Sequence, residues 1–296
     1  PYVTAGENTL FVAARDDVRS GLQPKGKQAD QYYSSGCDYT RTTGIWQTVW
    51  LEFVPETYLQ YARYYPDPQN GCVTVSGLAK GEGTLRLTAL WEGKPVGEKT
   101  IAVQDGFFTT QLDLEEIHLW EAGKGGLYTL LLSLENDQVS SYFGLRTVAF
   151  QGRKFLLNGK PLFQRFVLDQ GFYPDGIYTA PTEEDLIQDI TLSFAAGFNG
   201  ARLHEKVFEP RFLYHCDRLG YLVWGEFPNW GLDHSHPLAT EIVLNQWSEA
   251  VERDCNHPAI IGWCPFNETW GYHEEKEQNA LLSSLYKLTK RLDPTR

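Results

Sequence analysis

The sequence predicts a multidomain protein in which antiparallel β structure gives way to strand–helix units that lay down a parallel sheet. Three observations carry this prediction. Between about residues 58 and 150, short alternating runs recur between turn signals rich in Gly, Pro and Asn. After Asn158-Gly159 the apolar period switches from two to helical spacing. Polar side chains then collect at the C-terminal ends of the later strands, at Asp169, His204 with Glu205, Glu226 with Asn229, and Asn267 with Glu268.

Residues 1–57 are β in character. Asn8 to Ala14 reads as a short strand and Gly21 to Gly26 as a loop. Gly44 to Val54 alternates around Trp46 and Trp50 until Pro55 ends it. So few strands cannot close a sandwich, and this stretch reads as the C-terminal part of a larger β domain.

Residues 58–150 hold the runs Tyr58 to Tyr65, Cys72 to Val75, Thr84 to Trp91, Lys99 to Val103, Gly106 to Leu112, Gly126 to Leu134 and Ser140 to Phe150. About seven short strands in roughly ninety residues is the count of an immunoglobulin-like sandwich. The Cys-Trp-Cys pattern is absent, so the likeness is to architecture only.

Residues 151–296 open with a hairpin signal at Asn158-Gly159. Pro161 to Leu168 is an apolar strand. Thr182 is placed to cap a helix with Asp185 reaching back, and Leu186, Ile187, Ile190 and Phe194 form its apolar stripe before Gly197. Further strands follow at Phe198 to Leu203, Tyr221 to Gly225 and Ala259 to Phe266. Helices are expected from Pro210 to Gly220, Glu241 to Asp254 and about Glu275 to Leu292. Four such units imply a parallel sheet, either half of an eightfold barrel or a small doubly wound sheet. No glycine-rich phosphate loop follows any strand, which removes the main support for the nucleotide-binding version. In a barrel, chemistry sits at the C-terminal strand ends, where the polar residues collect.

Charge and composition narrow the partners. With 26 basic and 38 acidic residues the net charge is −12, so there is no basic stripe to neutralise nucleic acid or an anionic membrane. No apolar run reaches about 18 residues, so no membrane span is expected. Cys37, Cys72, Cys216, Cys255 and Cys264 are widely spaced; they read as small buried hydrophobes of a reducing, cytoplasmic compartment rather than a disulfide framework or zinc site. The chain opens at Pro1, contains no methionine and closes soon after a helix. It therefore reads as a piece of a longer protein.

The stretch from His257 to Gly271 organises the rest: a turn, an apolar strand, then Asn267-Glu268 among polar and aromatic residues. A carboxyl delivered at a strand end is a candidate catalyst. Tyr221 to Glu226 repeats the pattern one unit earlier. Trp224 and Trp263, inside strands, are expected to fill core, whereas Trp230 and Trp270 lie in loops and are candidate stacking platforms for a ligand. His234, His236 and His273 show no metal-ligand spacing and read as residues of a solvated loop.

The stretches Thr43 to Glu52, Phe198 to His204, Asp217 to Glu226 and His257 to Glu268 together resemble glycoside hydrolase family 2, the family of β-galactosidases, β-glucuronidases and β-mannosidases. The resemblance implies a jelly-roll domain ending near residue 57, an immunoglobulin-like sandwich at 58–150, and at 151–296 the first four units of a (β/α)8 TIM barrel. It implies a retaining β-glycosidase acting on a β-galactoside-type substrate, with Glu268 as general acid/base and Asn267 on the sugar 2-hydroxyl. An acid in that role is expected to be half buried beside a second carboxylate, which would hold it protonated. In the family the nucleophile carboxylate lies on a later strand, so here it is expected beyond residue 296, and this stretch alone is expected to be inactive.

Arg202 is expected to orient a site carboxylate by bidentate pairing, and Glu226 to support the site's charge and hydrogen bonds. Asp169 is expected to bind sugar hydroxyls or cap the loop that follows it. The better-known pattern at His204 is Arg-x-Ser-His; this chain has Arg202-Leu203-His204-Glu205, so the histidine is offset by one. No organic cofactor is implied. Some relatives bind magnesium or sodium beside the acid, but no ligands for such an ion can be assigned here. The expected partner is a carbohydrate, and homo-oligomerisation is compatible with all of this. The alternative is a non-catalytic carbohydrate-binding or scaffold protein built from the same domains, although half a barrel leaves parallel edges unpaired.

Overall fold

A computed structural model describes residues 3–268 and 275–296. Seven strands build the sandwich: β1 Tyr58–Asp67, β2 Cys72–Lys80, β3 Gly83–Trp91, β4 Lys94–Val103, β5 Gly106–Asp113, β6 Tyr128–Leu134 and β7 Asp137–Phe143. They form two antiparallel sheets, ordered β1-β2-β5 and β4-β3-β6-β7. Alternation decides the core: along β6, Tyr128, Leu130, Leu132 and Leu134 point inward while Thr129 and Leu131 face water. Val73, Val75, Leu85, Leu87 and Leu112 are fully buried between the two sheets.

The run expected from Ser140 to Phe150 is two strands in different sheets. The chain leaves the sandwich after Phe143, because Gly144 passes so close to Pro258 that a Cβ there would lie 2.9 Å from its ring. Arg146 then turns its guanidinium onto the Pro258 and Ile260 carbonyls, at 2.7 and 2.8 Å. Strand β8 Val148–Gln151 begins a small meander with β9 Lys154–Leu157 and β10 Lys160–Pro161. The β9–β10 turn is Asn158-Gly159 with φ of 52° and 72°, the positive values that a two-residue type I′ hairpin requires.

The remaining elements are β11 Phe166–Asp169, α1 Glu183–Ala195, β12 Gly200–Leu203, α2 Pro210–Leu219, β13 Leu222–Glu226, α3 Pro237–Asp254, β14 Ile260–Cys264 and α4 Glu275–Leu292. The four strands are parallel and ordered β11-β12-β13-β14. A sheet that runs in sequence order without reversal is a barrel segment, not a doubly wound sheet, in which the order reverses at a switch point. Helix α1 begins as its sequence predicts: the Thr182 hydroxyl accepts from the Asp185 N–H, and the Asp185 carboxylate accepts from the Thr182 N–H. Helix α3 starts four residues earlier than expected, at Pro237, with His236 Nδ1 accepting from the Leu238 N–H. Pro265 lies beyond the end of β14, where ladder pairing has stopped.

Residues 3–57 depart from expectation. Neither Asn8 to Ala14 nor Gly44 to Val54 forms a strand; among the described residues of this segment only isolated bridges occur, Gln28 with Tyr39 and Ser35 with Asp38. Alternation becomes a strand only when a neighbouring strand takes up its N–H and C=O groups. Without one, Phe11 and Phe53 are exposed, and the sheet that a jelly-roll assignment calls for is not formed. The middle of the segment instead lies against the barrel strands' C-terminal ends. Lys25 N–H donates to the Trp230 carbonyl (2.8 Å), Asp233 N–H to the Gly21 carbonyl (2.8 Å), and Gln47 Nε2 to the Val207 carbonyl (3.0 Å).

Sandwich and barrel are joined through buried Asp217 at the end of α2. Its carboxylate accepts from the Ala259 N–H (2.8 Å), the Tyr142 hydroxyl (2.9 Å) and His257 Nδ1 (2.5 Å), and its carbonyl accepts from Trp120 Nε1 (2.7 Å). Of the cysteines, all free, Cys72 and Cys216 are buried as expected, whereas Cys37 is exposed. No helix among the described residues is long and apolar enough to cross a membrane.

Leu87, fully buried between the sandwich sheets, sets a test of this packing. Leu87→Ala is expected to cost roughly 2–5 kcal/mol, read as a lower urea midpoint with an unchanged slope.

Candidate active site

Strands β12, β13 and β14 converge on one cluster. Ala201 and Leu203 enter the core formed with α1 and α2, so the alternation of β12 turns Arg202 to the opposite face. There the Arg202 Nε donates to Glu226 Oε2 at 2.5 Å, and its Nη2 donates to Asn267 Oδ1 at 2.7 Å. The sequence led us to expect a two-pronged pair with one carboxylate. Instead the guanidinium fork is divided, because Asn267 and Glu226 reach it from adjacent strand ends.

Asn267 is held by its main chain as well. The Asn229 side chain donates to the Asn267 carbonyl at 3.0 Å and accepts from the Asn267 N–H at 2.6 Å. One amide thereby does what a neighbouring strand would do, just where β14 has run out of ladder. Because Arg202 is only a donor, its bond fixes Oδ1 as the amide's oxygen side. Asn267 Nδ2 is then a buried donor with no hydrogen-bond partner among the described residues.

Glu226 and Glu205 are both fully buried carboxyls but differ in environment. Burial pushes Glu226 upward, while Arg202 and the Glu205 N–H, which donates to Oε1 at 2.9 Å, oppose that shift. Glu205 is pushed up to about 8, chiefly by burial and further by Glu226, despite the Trp230 N–H donating to its Oε2 at 3.0 Å. Glu205 is therefore mostly neutral at pH 7. Burial, with Lys27 and Arg202 nearby, lowers His204 to about 4. Its imidazole is neutral, and because Gln170 Oε1 (2.9 Å away) can only accept, Nδ1 carries the proton.

Asp169 caps the following loop, accepting from the Gly171 N–H at 2.9 Å, and burial pushes its carboxyl up to about 6. Buried Lys206 ties the same loop down by donating to the Gly171 and Tyr178 carbonyls at 2.6 and 2.8 Å.

Glu268 follows Asn267 directly. It is exposed rather than half buried. Burial raises the carboxyls of Glu205, Glu226 and Asp169, and that of Asp189 on α1. Burial is set by what packs above a residue, which strand position alone does not reveal. Glu205 and Glu268 share a left-handed φ of 51°, each one residue past a strand-end polar group. Such a conformation costs a non-glycine residue about 1–3 kcal/mol and clusters at functional sites.

The tryptophans divide differently from expectation. Trp263 fills core, edge-on to Trp247 at 5.6 Å with its Nε1 donating to Asp293. Trp224, expected in core, is 37% exposed because it shares the register row of Arg202, away from the helices. Trp230 stands edge-on to His204 at 6.4 Å, with the Lys27 ammonium 3.8 Å from its ring centre. Trp270 and His273 lie outside the described residues. His234, expected in solvent, is buried with its ring edge-on to Phe266 at 5.0 Å. Among the described residues no three His, Cys, Asp or Glu side chains converge as a metal ion would require.

Sequence reasoning gave no role to Asn229, Gln170, Lys206 or Lys27. Asn229 carried a signal, being polar at a strand end. Lys27 had none, since its place depends on a segment far from the barrel in sequence.

Two family profiles match the chain, one described as "Glycosyl hydrolases family 2, TIM barrel domain" over residues 148–296 and one as "Glycosyl hydrolases family 2" over residues 64–146. A β-galactosidase of Thermoanaerobacterium thermosulfurigenes is 26% identical over 304 residues, which covers 98% of this chain and 41% of that protein. A β-galactosidase of Photobacterium profundum is 27% identical over 326 residues, covering 100% of this chain and 30% of that protein. The chain thus spans well under half the length of these relatives. Among solved structures, a β-glucuronidase of Faecalibacterium prausnitzii superposes with a TM-score of 0.71 at 26% identity, over 81% of this chain and 41% of that one. A β-glucuronidase from Ruminococcus gnavus in complex with D-glucuronic acid superposes with a TM-score of 0.72 at 20% identity, over 81% of this chain and 42% of that one. The second likeness is one of fold.

Glu205 makes the electrostatics testable. Its folded pKa, raised to about 8, means the native state keeps a proton that the unfolded chain has released. Stability is therefore lost as pH rises from the ordinary glutamate range towards about 8. Thermal melts of wild type and Glu205→Gln across that range are expected to diverge in favour of the variant as pH rises. Parallel curves would remove the buried neutral acid.

Proposed function

The chain belongs to glycoside hydrolase family 2, and on that premise we propose that it forms part of a retaining β-glycosidase with Glu268 as general acid/base. The observation that carries this reading is the locking of Asn267 by Arg202 and Asn229 at the end of β14. That locking sets the backbone from which Glu268 projects. A catalytic carboxyl must be aimed to within a fraction of an ångström, and this arrangement supplies the aim from two neighbouring strands.

In the proposed reaction Glu268 gives its proton to the leaving glycosidic oxygen while a carboxylate about 5 Å away attacks the anomeric carbon. Glu268, now ionised, takes a proton from the water that hydrolyses the glycosyl-enzyme. The nucleophile would come from the portion of the longer relatives that this chain does not match, beyond residue 296. Residues 1–296 alone would then bind sugar without turning it over. Asn267, with Oδ1 committed to Arg202, has Nδ2 left to donate to the sugar 2-hydroxyl. His204 and Trp230 lie beside it, and Glu226 keeps Arg202 in place. A sugar seated against Asn267 would also take water away from Glu268, strengthening its charge interactions during proton transfer.

A β-galactoside is the first substrate class to try, on the strength of the β-galactosidases among the curated relatives. β-Glucuronides come next, from the solved neighbours.

In the full-length protein, Glu268→Ala is expected to lower kcat on unactivated β-glycosides by roughly 10²–10⁴. Aryl glycosides with good leaving groups should lose much less, and azide should restore rate as a glycosyl azide forms. Equal loss on activated and unactivated substrates would sink the acid/base role.

A further inference from the structure

We infer that Lys27, carried to the barrel by a segment outside it, is a sugar-binding residue that determines specificity, its ammonium donating to oxygens of the bound glycon. This inference rests on the glycosidase reading above.

The approach of this segment is built into the backbone. Gly26 has φ of 55°, and a Cβ at that position would lie 2.3 Å from the Glu205 carbonyl oxygen and 3.0 Å from the Pro228 side chain. Only a glycine lets the chain pass that close to the ends of β12 and β13. Lys25 N–H bonds the Trp230 carbonyl on one side of Gly26, and on the other the Lys27 carbonyl accepts from the Tyr39 N–H at 2.7 Å. The flanking lysines then diverge. Lys25 pairs with Asp38 at 2.8 Å, whereas no carboxylate among the described residues pairs with Lys27.

Lys27 is nevertheless only 5% exposed. Its ammonium rests on the Trp230 ring, 3.8 Å from the ring centre. An indole face offsets part of the charge but accepts none of the three N–H bonds in the directions an ammonium needs. Buried charges are held by acceptors. The nearby titratable groups do not act as strong partners: Glu205 is mostly neutral and His204 is uncharged, while Arg202 adds like charge. In the same cluster Asn267 Nδ2 is a buried donor with no acceptor among the described residues. That amide and the Lys27 ammonium together call for a ligand rich in acceptor oxygens. Sugar hydroxyls and a sugar carboxylate both meet that need, and Lys27 would favour the carboxylate most strongly.

The test uses the full-length protein as wild type, Lys27→Met, Lys27→Gln and Lys27→Arg. Each is assayed on 4-nitrophenyl β-D-galactoside, β-D-glucoside and β-D-glucuronide. Thermal melts report folding, and calorimetric titration with D-galactose and D-glucuronate reports binding. Lys27→Met and Lys27→Gln are expected to raise KM about tenfold or more on the preferred substrate and to weaken binding of its free sugar to match. kcat should change by less than about threefold, and Lys27→Arg should recover part of the loss. Loss confined to the glucuronide would identify a carboxylate as the acceptor, and loss on neutral glycosides a hydroxyl; either supports the assignment. KM within about twofold of wild type in a variant that melts like wild type overturns it, as does a fall in kcat alone. If wild type neither cleaves nor binds any of these sugars, the glycosidase reading itself fails. Wild-type turnover that is indifferent to Lys27 defeats only the present inference.

Discussion

A single guanidinium holds the ends of three parallel strands in one arrangement. Arg202 projects from β12, bonds the Glu226 carboxylate at the end of β13 and the Asn267 amide beyond β14. Removing Arg202 would leave a buried carboxylate without its cation, which costs more than the bond itself contributes. Glu226 in turn accepts from the Glu205 N–H, so the same pair also holds the backbone where β12 turns left-handed. Asn229 completes the arrangement by replacing the ladder bonds that Asn267 has lost.

Around this pair the site keeps its charges separate. Glu226 has a cation against it, whereas Glu205, a few ångströms along the same network, has only main-chain and indirect support and stays mostly neutral. Two ionised carboxylates at this depth would repel each other in a weakly screening interior. His204 is kept neutral by burial and by the cations of Lys27 and Arg202. The cluster thus sets neutral Glu205 and His204 beside one ion pair, Arg202 with Glu226, and the Lys27 ammonium on the Trp230 ring.

The rest of the molecule supports that geometry from outside the barrel. Asp217 gathers the Tyr142 hydroxyl of the sandwich, His257 and the Ala259 N–H before β14, so the strand that leads to Asn267 is anchored to the preceding domain. On the opposite end of the sheet, Gly26 allows the N-terminal segment to lie against the Glu205 carbonyl and places Lys27 over Trp230. That segment contributes to the site without being a strand of any sheet.

How much of this the sequence determined follows from the range of the forces involved. The seven sandwich strands, the Asn158-Gly159 hairpin, the Thr182–Asp185 capping box and the alternation of strands and helices were legible because each rests on residues within one turn or one strand length. The strand-end positions of Asp169, His204, Glu226 and Asn267 were legible for the same reason. Tertiary structure alone decided that Arg202 divides its fork between two strands, that Glu205 is buried while Glu268 is exposed, and that Trp224 shares the face of Arg202, away from the helices. It also decided that Gly44 to Val54 forms no strand and that Lys27 reaches Trp230. Burial, partner strands and desolvation are set by residues far apart in sequence, and no local pattern encodes them.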